Sequence, residues 1–323
     1  MAVNIGKIKL TMPFFQAAIA GYSDFVMRSL ARRFGAPLTF GGVMIDTSAA
    51  HPVVRRKLGF IPREGEHPLG GQIVGTDPAS MAIAAKALAE VGYDIIDLNF
   101  ACPAPKVLRR GRGGSMMNDP NTVIEIYRRV RETVSCPVTM KLRIGYDETD
   151  ASSEDFWKIV ETAAAEKIDA LIIHGRTVTQ HYRGRADYSR IYEVKKRFPH
   201  IPVFGSGDIF SAEAVMERIN AGLDGVSVAR GAIGNPWIFR EACAIIEGKA
   251  KPASPSIAEQ KEIITWHFEN IQILHGKQKA IGYFRKFSAQ YAKFHPEKKL
   301  VHHDLVGAPN AQTLLAAIKN WYS

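Results

Sequence analysis

The sequence predicts an α/β protein: a (β/α)8 TIM barrel with a C-terminal all-helical domain. Three observations predict it. Eight apolar runs of strand length lie within about 240 residues, most followed by a helical pattern, which matches that barrel in number and length. Polar side chains able to do chemistry stand at the ends of many of these runs, and in a barrel all those ends converge on one face. After the eighth run the composition changes and no strand pattern returns. A doubly wound sheet is the alternative, but no GxGxxG opens its first strand–helix turn.

The first run, residues 14–20, ends at Gly21, and a helix capped by Asp24 follows to Phe34. The second run is 38–44; the third is 69–74, with an Ala-rich helix after Asp77-Pro78. The fourth, built on Ile95, Ile96 and Leu98, stops at Cys102 because Pro103 and Pro105 have no N–H for a ladder. Its helix is expected near Asp119-Pro120-Asn121, with Asp as N-cap and Pro in the first turn. Residues 138–144 are the fifth run, with a helix from about Ser153-Glu154; 170–174, 202–206 and 225–229 complete the eight. Residues 1–248 are read as the barrel, 249–256 as a Pro/Ser-rich linker, and 257–323 as a helical domain with segments at 257–274, 279–294 and 311–321.

Hydrophobic residues are 46% of the 323 and charged residues 23%, ordinary for a globular chain with a sizeable core. With no apolar run long enough for a bilayer and no signal-peptide pattern at the start, a soluble cytoplasmic protein without membrane contact is expected. Three cysteines are too few and too far apart for a disulfide framework, and no Cys/His spacing suggests a metal. A monomer is expected. Net charge is 42 − 32 = +10, which favours a polyanionic partner over a merely solvated surface only once the charge is located. Part of it lies in the helical region, at Lys279, Arg285, Lys286 and Lys293, among aromatics whose three- and four-residue spacing reads as bundle core.

The convergent set at the strand ends is Gln72, Asn99, Cys102, Lys141, His174 and Arg176. Asn99 precedes Cys102 by three residues, offering an amide and a thiol at nearly one place; the alternative is a buried cysteine acting as a small hydrophobe. Gly205-Ser206-Gly207-Asp208 ends the seventh run and Ala229-Arg230-Gly231 the eighth, the loops where barrels build phosphate cradles from backbone N–H groups. Ordinary tight turns are the alternative there. Lys141, mid-strand in an apolar segment, needs an anionic or electron-rich partner, or else is a Schiff-base lysine. Flavin mononucleotide joins these pieces: phosphate on the two loops, Lys141 and Gln72 on the ring edge, and a substrate facing Cys102 and His174. A thiol with its ordinary pKa of ~8.5 suits proton donation.

Taken in order, Ala18-Ile-Ala-Gly21-Tyr-Ser-Asp24, Gln72, Leu98-Asn99-Phe-Ala-Cys102-Pro103, Lys141-Leu-Arg143, His174-Gly-Arg176, Gly207-Asp208 and Arg230-Gly-Ala-Ile-Gly-Asn-Pro236-Trp237 resemble the tRNA-dihydrouridine synthases, most closely the bacterial B-type branch. The resemblance implies an FMN enzyme, reduced by NADPH or NADH, that reduces the C5–C6 double bond of uridine in tRNA. It implies hydride delivery to C6 and protonation of C5 by Cys102. FMN contacts are implied at Ala18, Ile19, Ala20, Gln72, Lys141, His174, Ser206, Gly207, Asp208, Ala229 and Arg230, and substrate or ring contacts at Asn99, His174 and Arg176. Arg109, Arg110 and Arg112 behind Cys102, with Lys279, Arg285, Lys286 and Lys293, become candidates for gripping tRNA. Against the family pattern, Ala18-Ile19 stands where Pro-Met is common, Ala101 and Ala229 where glycine is and Ser206 where asparagine is, most of them keeping small residues small, and the Cys102 loop is one residue longer.

Two rival functions differ in class from this one. An FMN dehydrogenase of a free pyrimidine, like the dihydroorotate dehydrogenases, needs no basic helical tail. A non-catalytic RNA- or flavin-binding protein needs no intact set of cysteine, lysine and histidine.

Overall fold

The computed structural model describes residues 3–56 and 60–323. Its strands, in chain order, are β1 (Val3–Ile5), β2 (Ile8–Leu10), β3 (Phe14–Gln16), β4 (Thr39–Phe40), β5 (Met44–Ile45), β6 (Leu69–Val74), β7 (Ile95–Asn99), β8 (Val138–Arg143), β9 (Ala170–His174), β10 (Val203–Ser206) and β11 (Gly225–Val228). Strands β3 to β11 pair in parallel, and pairing of β4 with β6 closes the ring into the expected eight-membered barrel. The expected second strand, 38–44, is realised as two halves: β4 pairs with Leu69 and Gly70, and β5 pairs with Ile73 and Val74. Gly41-Gly42 separates them, and the break turns Val43 toward the barrel mouth.

The closed end of the barrel holds a feature the sequence reading missed. β1 and β2 form an antiparallel hairpin whose Ile5 and Leu10 pack with Phe15, Phe40, Ile172 and Phe204 inside the ring. Its turn residue Gly6 has φ +53° and lies so close to Pro137 and Asp169, just ahead of β8 and β9, that a Cβ would meet them at 2.8 and 2.5 Å. The hairpin therefore stoppers the end where strands begin. Phe15 meets Phe40 and Phe204 at ring separations of 5.2 and 5.0 Å, and Gly70 is required beneath Phe40, whose ring a Cβ would strike at 2.1 Å. Phe40 thus fills the interior and the strand ends are left free for chemistry.

Helices follow the strands as the caps dictate. Asp24, Asp77 and Asp119 accept from the N–H groups of Met27, Ser80 and Thr122, starting the helices Phe25–Arg33, Pro78–Glu90 and Pro120–Thr133. The helix expected from about Ser153 begins earlier, at Asp150, because Thr149 caps it. Residues 249–256 carry neither helix nor strand, and the tail follows as Ile257–His275, Lys277–Tyr291, Lys298–Gly307 and Ala311–Trp321. Lys298–Gly307 was not anticipated: it buries only Val301 and Leu305, too thin an apolar stripe to read in so charged a stretch.

The tail packs on the barrel through Trp237, fully buried at the start of helix Trp237–Ile246, with ring neighbours Phe34, Tyr291 and Phe294. Its indole N–H donates to Glu259 at 2.9 Å, and Arg240 pairs with the same carboxylate at 2.6 Å. Among the described residues, no helix is long and apolar enough to cross a membrane, and no group of three or more His, Cys, Asp or Glu is placed to hold a metal ion.

Candidate active site at the barrel mouth

Where the strands end, a cavity of about 480 Å³ opens. From β3 its wall is Ala18, Ile19 and Ala20, in a turn pinned by the Ser23 hydroxyl, which accepts from the N–H of Ile19 at 2.9 Å and from the Gln16 amide at 2.8 Å. Gln72, Asn99 and Cys102 come from β6 and β7, Lys141 from β8 and His174 from β9. Ser206, Gly207 and Asp208 follow β10, and Ala229 and Arg230 follow β11. One cavity thus gathers residues spread over more than two hundred positions.

Cys102 is held by its backbone. Asn99 Oδ1 accepts from the N–H groups of Ala101 and Cys102 at 3.1 and 3.0 Å, folding the chain over as the strand ends. Behind it, Gly114 N–H donates to the Cys102 carbonyl at 3.0 Å, and a Cβ on Gly113 or Gly114 would come within about 3 Å of Cys102. The glycines let the arginine-rich loop close directly on the cysteine. Arg143, nearly fully buried, donates to the carbonyls of Ala101, Thr177 and His181 at 2.8, 2.7 and 2.8 Å and ties the cysteine loop to the loop after β9.

Two side chains at the mouth lack partners. Lys141 Nζ is buried without a hydrogen bond among the described residues, and burial brings its pKa down to about 8, with Asp97 opposing the shift and Arg143 adding to it. His174 Nδ1 is likewise buried and unsatisfied among the described residues. Burial, reinforced by Lys141, Arg143, Arg176 and Arg230, lowers its pKa to about 2, so the imidazole is neutral over the working range. Orphaned buried polar atoms facing a cavity are the usual mark of a ligand's place.

The turn after β10 is where the sequence leads one to expect a phosphate cradle. Gly207 (φ +113°) and Asp208 (φ +53°) both adopt left-handed backbone, and a Cβ on Gly207 would meet Ala186 at 2.8 Å. Burial pushes the Asp208 carboxyl up, but hydrogen bonds from Arg176 and the Ala186 N–H, with the charges of Arg176 and Arg230, outweigh it and hold the pKa below the ordinary range. Arg176 is placed apart from the other expected residues: it lies behind the cavity wall, 2.6 Å from Asp208, donating also to the carbonyls of Arg183 and Gly184. Its position orders the cradle from behind.

The candidate cations divide in the same way. Arg109, Arg110, Lys279, Arg285 and Lys293 are exposed. Arg112 is half-buried, 3.4 Å from Asp46, and Lys286 bonds to the Gly21 carbonyl and sits 4.7 Å over the Tyr22 ring. Sequence reasoning left Asp97, Arg143, Tyr182 and Phe210 unassigned. Tyr182 and Phe210 flank the Arg230 guanidinium at 4.4 and 5.4 Å and line the cavity, yet they lie in loops where no periodicity marks them. Asp97 and Arg143 had a signal, a charge inside an apolar run.

A family model described as dihydrouridine synthase matches residues 15–318. The tRNA-dihydrouridine synthase B of Pasteurella multocida is 35% identical over 292 residues, 90% of this chain and 86% of that protein. The enzyme of the same name from Pseudomonas putida is 33% identical over 325 residues, covering all of this chain and 95% of its own. Among solved structures, a 2-naphthoyl-CoA reductase (TM-score 0.57, 13% identity, 77% of this chain) and a Rhizobium histamine dehydrogenase (TM-score 0.55, 16% identity, 83% of this chain) share the fold. This chain spans about half of each of those two chains, 52% and 50%. With a family model running almost end to end and relatives a third identical along nearly their whole length, the chain belongs to the dihydrouridine synthase family, a family of oxidoreductases.

Proposed function

We propose that this protein reduces the C5–C6 double bond of uridine in tRNA to 5,6-dihydrouridine, with FMN held in the barrel mouth and NADPH or NADH as electron donor. The observation that carries the reading is Lys141 Nζ, buried and unpartnered among the described residues, in the cavity that also holds Cys102. The residues present fit the flavin. An electron-rich ring edge gives Lys141 and His174 the partners they lack, and the backbone turn over 206–208 with Arg230 suits a phosphate. Ala18, Ile19 and Ala20, Gln72 and Ala229 complete the wall against which the ring would lie.

Bound FMN supplies the hydride that C6 of the uracil accepts. The rest of the chemistry falls to the chain itself. Cys102 gives its thiol proton to C5 and recovers one from solvent, so that two hydrogens are added and none is left over. Asn99 fixes the cysteine's place through its backbone, neutral His174 can take a hydrogen bond without adding charge, and Arg176 holds Asp208 and the cradle in shape. Residues 1–248 form the catalytic part. Residues 257–323, joined through 249–256, grip the RNA by shape and phosphate contact, with the target base leaving its stack to enter the mouth. The relatives' names point to the same substrate, tRNA, and the protein is expected to act in the cytoplasm as a monomer.

The test is the purified protein and its Cys102→Ala variant. Both should be yellow and release FMN on denaturation, while the variant loses dihydrouridine formation by about a hundredfold or more, the scale of one general acid. A colourless wild type that takes up no FMN, or an alanine variant of undiminished rate, would overturn the reading.

A further inference from the structure

Asp97 is 1% exposed in the middle of β7, beside Gln72 of β6 and Thr139 of β8 in the strand register. A carboxylate here is expensive to bury unless its hydrogen bonds matter. One oxygen accepts from Thr139 Oγ1 at 2.7 Å and the other from Gln72 Nε2 at 2.6 Å. Lys141 is not within ion-pair distance, so its direct partners are these two neutral donors.

The consequence runs along the amides. Burial pushes the Asp97 carboxyl up, while hydrogen bonds from Gln72 and Thr139 and the charge of Lys141 favour the carboxylate; as a carboxylate it accepts only, and Gln72 turns its NH2 toward it and its carbonyl away. That carbonyl accepts Asn99 Nδ2 at 2.6 Å, which leaves Asn99 Oδ1 for the N–H groups of Ala101 and Cys102. Each amide alone could rotate end for end about its terminal bond at little cost. The acceptor at the head fixes Gln72, and the two backbone N–H donors at the tail hold Asn99 in the matching orientation.

We infer that Asp97 is a positioning residue: it anchors the head of the chain Asp97–Gln72–Asn99 in the one polarity that leaves Asn99 Oδ1 free to hold the Cys102 backbone. The inference rests on Cys102 being the proton donor only for its effect on rate, since the positioning itself is a property of the protein alone. Asp97→Leu keeps the size and removes the acceptor, whereas an asparagine could still offer its carbonyl to Gln72 and its NH2 to the Thr139 hydroxyl, which accepts as well as donates.

Hydrogen–deuterium exchange of the purified full-length protein reads the positioning directly. In Asp97→Leu, the peptide holding Ala101 and Cys102 should exchange about tenfold faster than wild type, roughly the loss of one hydrogen bond, with peptides over β9 and β10 unchanged. Gln72→Met cuts the same chain one link on and should reproduce the effect; it stands in if the first variant fails to fold. Turnover on tRNA should fall by about tenfold in kcat with KM within about twofold. Wild-type exchange of that peptide in the folded variants overturns the inference. Faster exchange with undiminished kcat keeps the positioning and instead removes Cys102 from the proton-donor role.

Discussion

His174 shows how the site's charges act on a single residue. Burial, with the charges of Lys141, Arg143 and Arg230 at the mouth and of Arg176 behind its wall, lowers the imidazole's pKa from the ordinary 6.5 to about 2. Between those two values the unfolded chain binds a proton that the folded chain refuses, so stability is lost as pH falls through that window. From pH 7 to pH 5 the cost should approach about 2 kcal/mol in flavin-free protein, and His174→Gln should remove it. Melting curves at the two pH values check this; equal losses in wild type and variant would contradict it. Lys141 is the residue most plainly written in the sequence, a charge inside an apolar run whose need for a partner follows from burial alone. Arg176 is legible as a polar strand-end residue, but its partner is not. That it faces Asp208 behind the cavity, rather than the cavity itself, depends on the path of the loop through Arg183 and Gly184, which no spacing in the sequence fixes.

At the scale of elements, strands and capped helices are readable because their signals are local: an Asp before Pro, an apolar run stopped by Pro103. Other elements depend on distant partners. The break between β4 and β5 follows from both halves pairing with β6, and helix Lys298–Gly307 exists because its two buried side chains find the neighbouring tail helices. The β1–β2 hairpin did leave a mark, the alternation of Val3, Ile5, Ile8 and Leu10 about Gly6-Lys7, but strands of three residues fall below what periodicity can separate from noise. The arginine-rich loop behind Cys102 divides by element in a testable way. Arg109 and Arg110 are exposed, whereas Arg112 faces Asp46 of the helix Asp46–Ala50. Alanine at Arg109 or Arg110 should weaken tRNA binding and lower its salt slope by about one each. Alanine at Arg112 should leave that slope unchanged and slow turnover, because the cysteine loop loses its anchor. Titrations at several salt concentrations separate the two; a slope that falls equally for all three would show Arg112 on the RNA.

For the whole molecule, the tail is no loose appendage. One hydrophobic cluster runs from the barrel's helices through Trp237 into the tail helices at Phe268, Phe284 and Tyr291. Trp237→Ala should therefore cost about 3–5 kcal/mol, seen as a lowered melting temperature of the whole chain in one transition. Two separate transitions with only the tail's affected would contradict a shared core. Lys286, bonded to Gly21 beside the wall at Ala18–Ala20, belongs to the same junction; its exposure could not be read in advance because it depends on which face of helix Lys277–Tyr291 meets the barrel. Part of the excess positive charge is exposed on the cysteine loop at Arg109 and Arg110 and on the tail at Lys279, Arg285 and Lys293. The measurement that bears most directly on the central claim is product formation by the purified enzyme with NADPH, on unmodified tRNA and on free uracil and orotate, analysed by mass spectrometry of nucleosides. Dihydrouridine at a defined position in tRNA, with no reduction of the free bases, is the predicted result; reduction of orotate or uracil with tRNA left untouched would contradict it.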